Sequence, residues 1–278
     1  MLPIHVTVWD DGESSADQVI LVHGTLSWGQ ASYAGQRELG RDRRILVVDR
    51  RGFGESPDTE MSDYDVDADD IAGLMDKPSH LVGHSYGGVV AMLAATRRPD
   101  LVASLALIEP AALAVATSDP VVAKALEGNR RYWPSTQSMT AEEYLRVVWG
   151  DQPVPEPYEW SLRAAGSALH ERPCWNADVP LGPLRSATYP KLVLAGTWET
   201  AAADYRAAAG EALIATSRFI ATETGATFVQ VEGADHSPHQ QRPDEVNELL
   251  LDLWQQADPP PGSGTTQRRA LRSDDGAE

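Results

Sequence analysis

The segment Leu81-Val82-Gly83-His84-Ser85-Tyr86-Gly87-Gly88-Val89-Val90 leaves few choices of fold. An apolar run of strand character stops at Gly83, and small residues at helical spacing, Ala91, Ala94 and Ala95, begin just past Gly88. The serine between them sits in a turn too tight for ordinary side chains at its flanks, which accounts for glycine at both 83 and 87. Such a turn, a nucleophile elbow, holds its serine in a strained backbone conformation and lifts the hydroxyl clear of the sheet edge. It also sets Ser85 at a helix N-terminus, where unpaired N–H groups favour developing negative charge. An ordinary serine in a glycine-rich turn needs no partners, whereas a nucleophile does, so the rest of the chain decides between the two.

The flanking sequence has the rhythm of a parallel sheet. Val19–Val22, Arg44–Val48, the run from His80, Leu105–Ile108, Lys191–Ala195 and Thr227–Val231 are short apolar runs separated by helical stretches. Strands apolar on both faces belong to sheets covered on both sides. The fold class is therefore α/β, with a mostly parallel, doubly wound sheet. Ile4–Trp9 alternates polar and apolar residues and reads as an edge strand, followed by a polar turn from Asp10 to Asp17. The turns that carry reactive residues all follow strand C-termini, the edge where ligands gather in open α/β sheets.

From Ala111 to about Thr188 the rhythm breaks. Helical stretches such as Pro120–Arg131 and Ala141–Trp149 alternate with proline-rich joints, and four of the eight tryptophans (Trp133, Trp149, Trp160 and Trp175) lie here. This predicts a helical cap over 111–188, inserted between a first core segment, 1–110, and a second, 189–256. The second segment holds a helix from about Ala201 to Ala221 and a closing amphipathic helix from Pro243 to Gln256, with Val246, Leu249, Leu250 and Leu253 on one face. Residues 257–278 form a polar tail without core periodicity, expected to be disordered.

A serine hydroxyl is a weak nucleophile at neutral pH. It needs a base within reach, a group to orient that base, and donors for the oxyanion. Among seven histidines, His236 follows the last strand in Gly233-Ala234-Asp235-His236 and is the predicted base. His239 falls beyond Pro238, on the next helix or the surface, and His84 is enclosed in the elbow. Two glutamates follow strands at suitable places: Glu199, just after Gly196-Thr197-Trp198, and Glu109, at the end of the strand before the cap. Glu199 is preferred, with Glu109 the alternative. The oxyanion donors expected are the backbone N–H groups of Tyr86, next to the nucleophile, and of Thr25, after His23-Gly24, with Leu26 as second choice. Trp28, Trp133 and Trp198 are expected to wall a substrate pocket. Asp63, Asp65 and Asp67 lack the glycine and closing glutamate of a calcium loop and read better as a helix start. With no metal-like Cys/His cluster and no dinucleotide fingerprint, no cofactor is expected.

Composition narrows the partners. A formal charge of −18, with 23 basic against 41 acidic residues, disfavours nucleic acid and anionic membrane surfaces. The single cysteine, Cys174, excludes an internal disulfide and reads as a packing residue. No signal peptide or membrane-spanning apolar run is legible, so a cytoplasmic enzyme acting on a small molecule is the expectation.

Together, His23-Gly24, Asp49-Arg50-Arg51-Gly52-Phe53-Gly54-Glu55-Ser56, Gly83-His84-Ser85-Tyr86-Gly87-Gly88 and Gly233-Ala234-Asp235-His236 resemble the motifs of the α/β-hydrolase superfamily. The resemblance covers about 1–110 and 189–256, in the order serine, acid, histidine. The family's usual aspartate after the seventh strand is replaced by Glu199. The resemblance implies a cofactor-independent serine hydrolase acting on an ester or related acyl bond. The same fold also serves lyases, cofactor-independent oxygenases and binding proteins.

Overall fold

The computed structural model describes residues 2–10, 18–150 and 152–257. Most of the turn expected at 10–17, and the tail at 258–278, lie outside these residues.

Among the described residues, seven strands form one sheet: β1 (Val6–Trp9), β2 (Gln18–Val22), β3 (Arg44–Val48), β4 (Ser79–His84), β5 (Val102–Ile108), β6 (Lys191–Gly196) and β7 (Thr227–Val231), in the order β1-β3-β2-β4-β5-β6-β7. Only β1 runs antiparallel, against β3, and it is half exposed, as its alternating sequence requires. Successive side chains on β2 and β3 point to opposite faces. Ile20, Val22, Leu46 and Val48 join one apolar cluster, while Val19, Leu21, Ile45 and Val47 join another. Both faces need covering, and helices supply it.

These helices are α1 (Gly29–Ser32), α2 (Tyr64–Leu74), α3 (Tyr86–Arg97), α4 (Pro120–Thr136), α5 (Ala141–Trp149), α6 (Tyr158–Leu169), α7 (Leu181–Ser186), α8 (Ala203–Tyr205), α9 (Glu211–Thr224), α10 (Pro238–Gln241) and α11 (Pro243–Ala257). On one face, Tyr64, Ile71, Val89, Met92 and Ile220 from α2, α3 and α9 close the first cluster. On the other, Val246, Leu250, Leu253 and Trp254 of α11 close the second. Helix starts are chemically marked. The Asp63 carboxylate accepts from the Asp65 N–H at 2.8 Å, and Thr140 with Glu143 makes a reciprocal capping box at α5.

Between β5 and β6 the described residues form helices and turns, with no strand. α4 runs through Pro134 to Thr136, further than the proline leads one to expect. Among the contacts that dock this segment onto the core are those of Arg163 of α6. Its guanidinium donates to the carbonyls of Gly52 (3.1 Å), Gly54 (2.7 Å) and Ser56 (2.6 Å), and Ser167 donates to Gly52 as well. The single helix expected over 201–221 is instead α8, a π-helical turn over Arg206–Gly210, and α9. A π turn shifts everything after it around the helix axis, and here it directs side chains at the end of the sheet.

Parallel pairing brings strand ends abreast. Val22 pairs with Gly83, Gly83 with Leu107 and Ile108 with Leu194. His23, Ser85 and Glu109 consequently leave the sheet at one edge.

Candidate active site

Ser85 has φ 53° and ψ −114°, the strained conformation expected of the elbow. A Cβ on Gly83 would come 2.2 Å from the Gly87 carbonyl oxygen, and one on Gly87 would come 2.1 Å from that of Val22. The close strand–helix approach therefore excludes any side chain at either position. The Ser85 N–H donates to Ile108 O at 2.9 Å, and its carbonyl accepts from Gly88 (3.0 Å) and Ala111 (3.2 Å). Because C=O and N–H of a trans peptide point opposite ways, the Tyr86 N–H is directed away from those donors.

His236 Nε2 lies 3.0 Å from Ser85 Oγ. On its far side, His236 Nδ1 faces Glu109 Oε2 at 3.6 Å, and neither atom has a hydrogen-bond partner. That separation is longer than an ordinary hydrogen bond. Glu109 is fully buried, and its other oxygen accepts from the Gly196 N–H at 2.7 Å and the Trp198 indole N–H at 3.1 Å. Glu199 is exposed on the surface. Of the two glutamates, the structure thus brings Glu109 to the histidine and not Glu199. β5 is the direct neighbour of β4 in the sheet, whereas Glu199 lies past a turn beyond β6. The preference for Glu199 rested on its place after a strand, where the resemblance sets the acid; the geometry instead sets Glu109 beside His236.

His84 has a part that its place inside the elbow did not reveal. Its Nε2 lies 2.7 Å from the His236 carbonyl oxygen, so it must donate, and it holds the backbone of the histidine that faces Ser85. The His239 ring stands 4.5 Å from that of His84. His239 is on α10 as expected, but it is fully buried and not on the surface. Burial drives the pKa of His84 well down and that of His239 down to about 3, and neighbouring histidines add to both effects. Both rings are neutral at pH 7.

The turn after β2 is held from behind. Arg50, 1% exposed, donates to the carbonyls of His23 (3.2 Å) and Gly24 (3.1 Å), to Asp67 (3.1 Å) and to Glu171 (2.5 Å). Burial opposes the Arg50 charge, but the two carboxylates outweigh it and raise its pKa. Glu171, between α6 and α7, also accepts from the Thr25 hydroxyl. With the Gly24 carbonyl turned to Arg50, the Thr25 N–H points the opposite way. Sequence reasoning missed Glu171 and Arg163 because nothing near them forms a motif. The aspartates 63, 65 and 67 do start a helix, and Asp67 meets Arg50.

Residues 19–249 match the model of the Alpha/beta hydrolase family. The chain belongs to this family. Among curated proteins, this hydrolase-family chain is 34% identical over 107 residues to the sn-1-specific diacylglycerol lipase ABHD11 of Mus musculus, covering 36% of this chain and 34% of that one. It is 34% identical over 115 residues to Lipase LipV of Mycobacterium tuberculosis, covering 40% and 43%. The chain thus spans less than half the length of these relatives. A thermophilic esterase from Thermogutta terrifontis, solved with malate bound, has the same fold, with a TM-score of 0.67 and 24% identity over 92% of this chain and 95% of that one.

Beside Ser85 and His236, this alpha/beta hydrolase has a cavity of about 140 Å³, walled in part by Leu113, Trp175 and Leu213. The three tryptophans expected to wall a pocket are placed otherwise. Trp198 is fully buried, 6.1 Å from the His236 ring, and supports Glu109 from below. Trp28 packs edge-on against Trp160. Trp133 packs edge-on against Trp175 at 5.1 Å and so braces the wall without itself lining the cavity. Cys174 is buried, and burial pushes its thiol pKa up, as suits a packing residue. Among the described residues, no group of three or more His, Cys, Asp or Glu side chains is placed to hold a metal ion. No described helix is long and apolar enough to cross a membrane.

Proposed function

We propose that this chain is a serine hydrolase that cleaves an ester or related acyl bond of a small molecule through an acyl-enzyme on Ser85. The observation that carries the reading is the line Ser85 Oγ–His236 Nε2–Glu109, with 3.0 Å between serine and histidine. Ser85 attacks the acyl carbon while His236 takes its proton at Nε2. Glu109, not Glu199, receives the Nδ1–H, fixes the tautomer and stabilises the imidazolium. The Thr25 and Tyr86 N–H groups supply the oxyanion donors, which the backward-facing carbonyls of Gly24 and Ser85 favour. His236 then protonates the leaving group and activates the water that releases the acid. The helical segment 111–188 acts as a cap over the nucleophile. The lipase names of the two curated relatives are consistent with this chemistry.

A fluorophosphonate probe read by intact mass and peptide mapping tests the proposal. We expect a single adduct on Ser85, absent in Ser85→Ala and in His236→Ala, with both variants folded. Folded wild-type protein that takes no adduct, or Ser85→Ala with wild-type turnover, would sink the mechanism.

A further inference from the structure

Among the described residues, no charged side chain lines the cavity beside Ser85. Ala111, Ala125, Ala208, Ala209 and Ala212 line it together with Leu113, Leu213 and Trp175, and Asn129 is the one polar side chain there, among the described residues, besides Ser85 and His236. Asn129 and Ala208 are exposed and mark the mouth. Leu113, Ala212 and Leu213 are buried and mark the floor. Behind that floor, Leu113 and Leu213 pack into one cluster with Ala116, Val122, Leu126 and Trp198, so the cavity cannot lengthen inward without displacing core.

The π turn over Arg206–Gly210 holds one side of the wall in place. Gly210 sits flat on the Trp198 ring, where a Cβ would come 2.6 Å from the indole. Trp198 is in turn bonded to Glu109. Ala208 and Ala209 therefore face the cavity from a backbone anchored to the triad acid, and Trp133 braces Trp175 on the other side. The wall is set by packing on several sides.

Resting on the serine-hydrolase reading, we infer that the substrate places a short, uncharged, apolar group in this cavity, with a ceiling of about six carbon atoms. The volume sets the ceiling: a cavity of about 150 Å³ inside a protein holds benzene, and this one has about 140 Å³. The lining sets the charge. A carboxylate placed among alanines, leucines and an indole loses its water and gains no cation, and the net charge of −18 adds a like-signed field. Within the ceiling, each buried methylene raises kcat/KM about fourfold. Past it, a longer chain must displace packed core or stay in water.

The experiment uses the full chain, with fluorophosphonate labelling of Ser85 run beside two ester series. One series varies the acyl group from ethanoyl to dodecanoyl on 4-nitrophenol, and the other varies the alcohol from ethyl to dodecyl on ethanoate. A 4-nitrophenyl hemisuccinate is compared with the butanoate. In at least one series kcat/KM should rise to an optimum between butanoyl (or butyl) and hexanoyl (or hexyl), then fall about tenfold or more by the ten-carbon member. The hemisuccinate should be at least about tenfold poorer than the butanoate. Ala209→Leu, which fills the wall, should shorten the optimum, and Leu213→Ala should lengthen it, with circular dichroism checking the fold of each. Labelled protein that prefers ten-carbon or longer groups in both series, or that cleaves hemisuccinate as well as butanoate, overturns the inference and leaves the serine mechanism standing. Absence of both labelling and turnover overturns both.

Discussion

Four non-glycine residues have positive φ among the described residues: Leu26 (59°), Ser85 (53°), Glu109 (48°) and Trp198 (59°). All four follow strand ends at the sheet edge that carries the site. Such conformations cost on the order of 1–3 kcal/mol each and persist only where the surroundings over-determine them. At Ser85 the cause is plain, because the strand must reverse into α3 within one residue. Glycine meets no such penalty, so Ser85→Gly should unfold at higher denaturant than Ser85→Ala by about 1 kcal/mol while both stay inactive. Equal midpoints would mean that the elbow stores no strain. The acid is tested in the same way, one atom at a time. Glu109→Gln keeps an oxygen for the Gly196 and Trp198 N–H groups but removes the charge facing His236 Nδ1. It should lower kcat by about 10³–10⁴-fold, whereas Glu199→Gln should stay within about twofold. The reverse pattern would restore Glu199 as the acid.

At the scale of elements, the question is how the helical segment stays on the sheet. Arg163 of α6 crosses to the Gly52–Ser56 loop and serves three carbonyls there, besides pairing with Asp58 at 2.7 Å. A guanidinium suits this because its fork of donors is fixed in one plane. Arg163 is about a third exposed, so solvent already weakens these bonds. Arg163→Met keeps much of the stem packing but leaves the carbonyls to water. It should cost about 1–2 kcal/mol in chemical unfolding and speed proteolysis between α4 and α7. Unchanged cleavage would place the docking energy elsewhere, for instance on the Arg50–Glu171 pair. That second contact differs in kind. It joins the segment to the turn bearing Thr25 through a buried charge, so loosening the segment also disturbs the backbone proposed to hold the oxyanion.

For the whole molecule, buried titratable groups set how stability varies with pH. His23, His84 and His239 are buried and their pKa values are depressed, His239 to about 3, with burial as the main cause in each. Below an ordinary histidine pKa of about 6.5 the unfolded chain takes up protons that these rings refuse, so their contribution to stability falls as pH drops from there. Asp67 acts in the opposite sense. Burial, only partly countered by Arg50, raises its pKa from 3.8 to about 6, so stability falls as pH rises through that window. The displacement corresponds to on the order of 3 kcal/mol. Burial raises Glu171 in the same direction. With three histidines against these two carboxylates, urea midpoints should fall on acidification from pH 6.5 to 4. Asp67→Asn should steepen that fall and His239→Leu should flatten it. A wild-type midpoint that rose on acidification would show that the carboxylates dominate.

Much of this was determined by local chemistry along the chain. Apolar runs and helical spacing specify a parallel sheet covered on both faces, and the Gly-x-Ser-x-Gly turn admits one backbone path between strand and helix. Those are short-range constraints, so Ser85, His236 and the strand carrying each reactive turn were legible without a structure. The acid, the tryptophans and the contacts of Glu171 and Arg163 were not, because they depend on which segments become neighbours. Glu109 and Glu199 look alike in sequence, each a glutamate just past a strand. Sheet order separates them by seating β5 directly against β4. Trp198 reads as a pocket wall until an inward turn buries its ring beneath His236 and gives its N–H to Glu109. Cavity size arises only where Ala209, Leu213 and Trp175 meet, and no single segment contains that meeting.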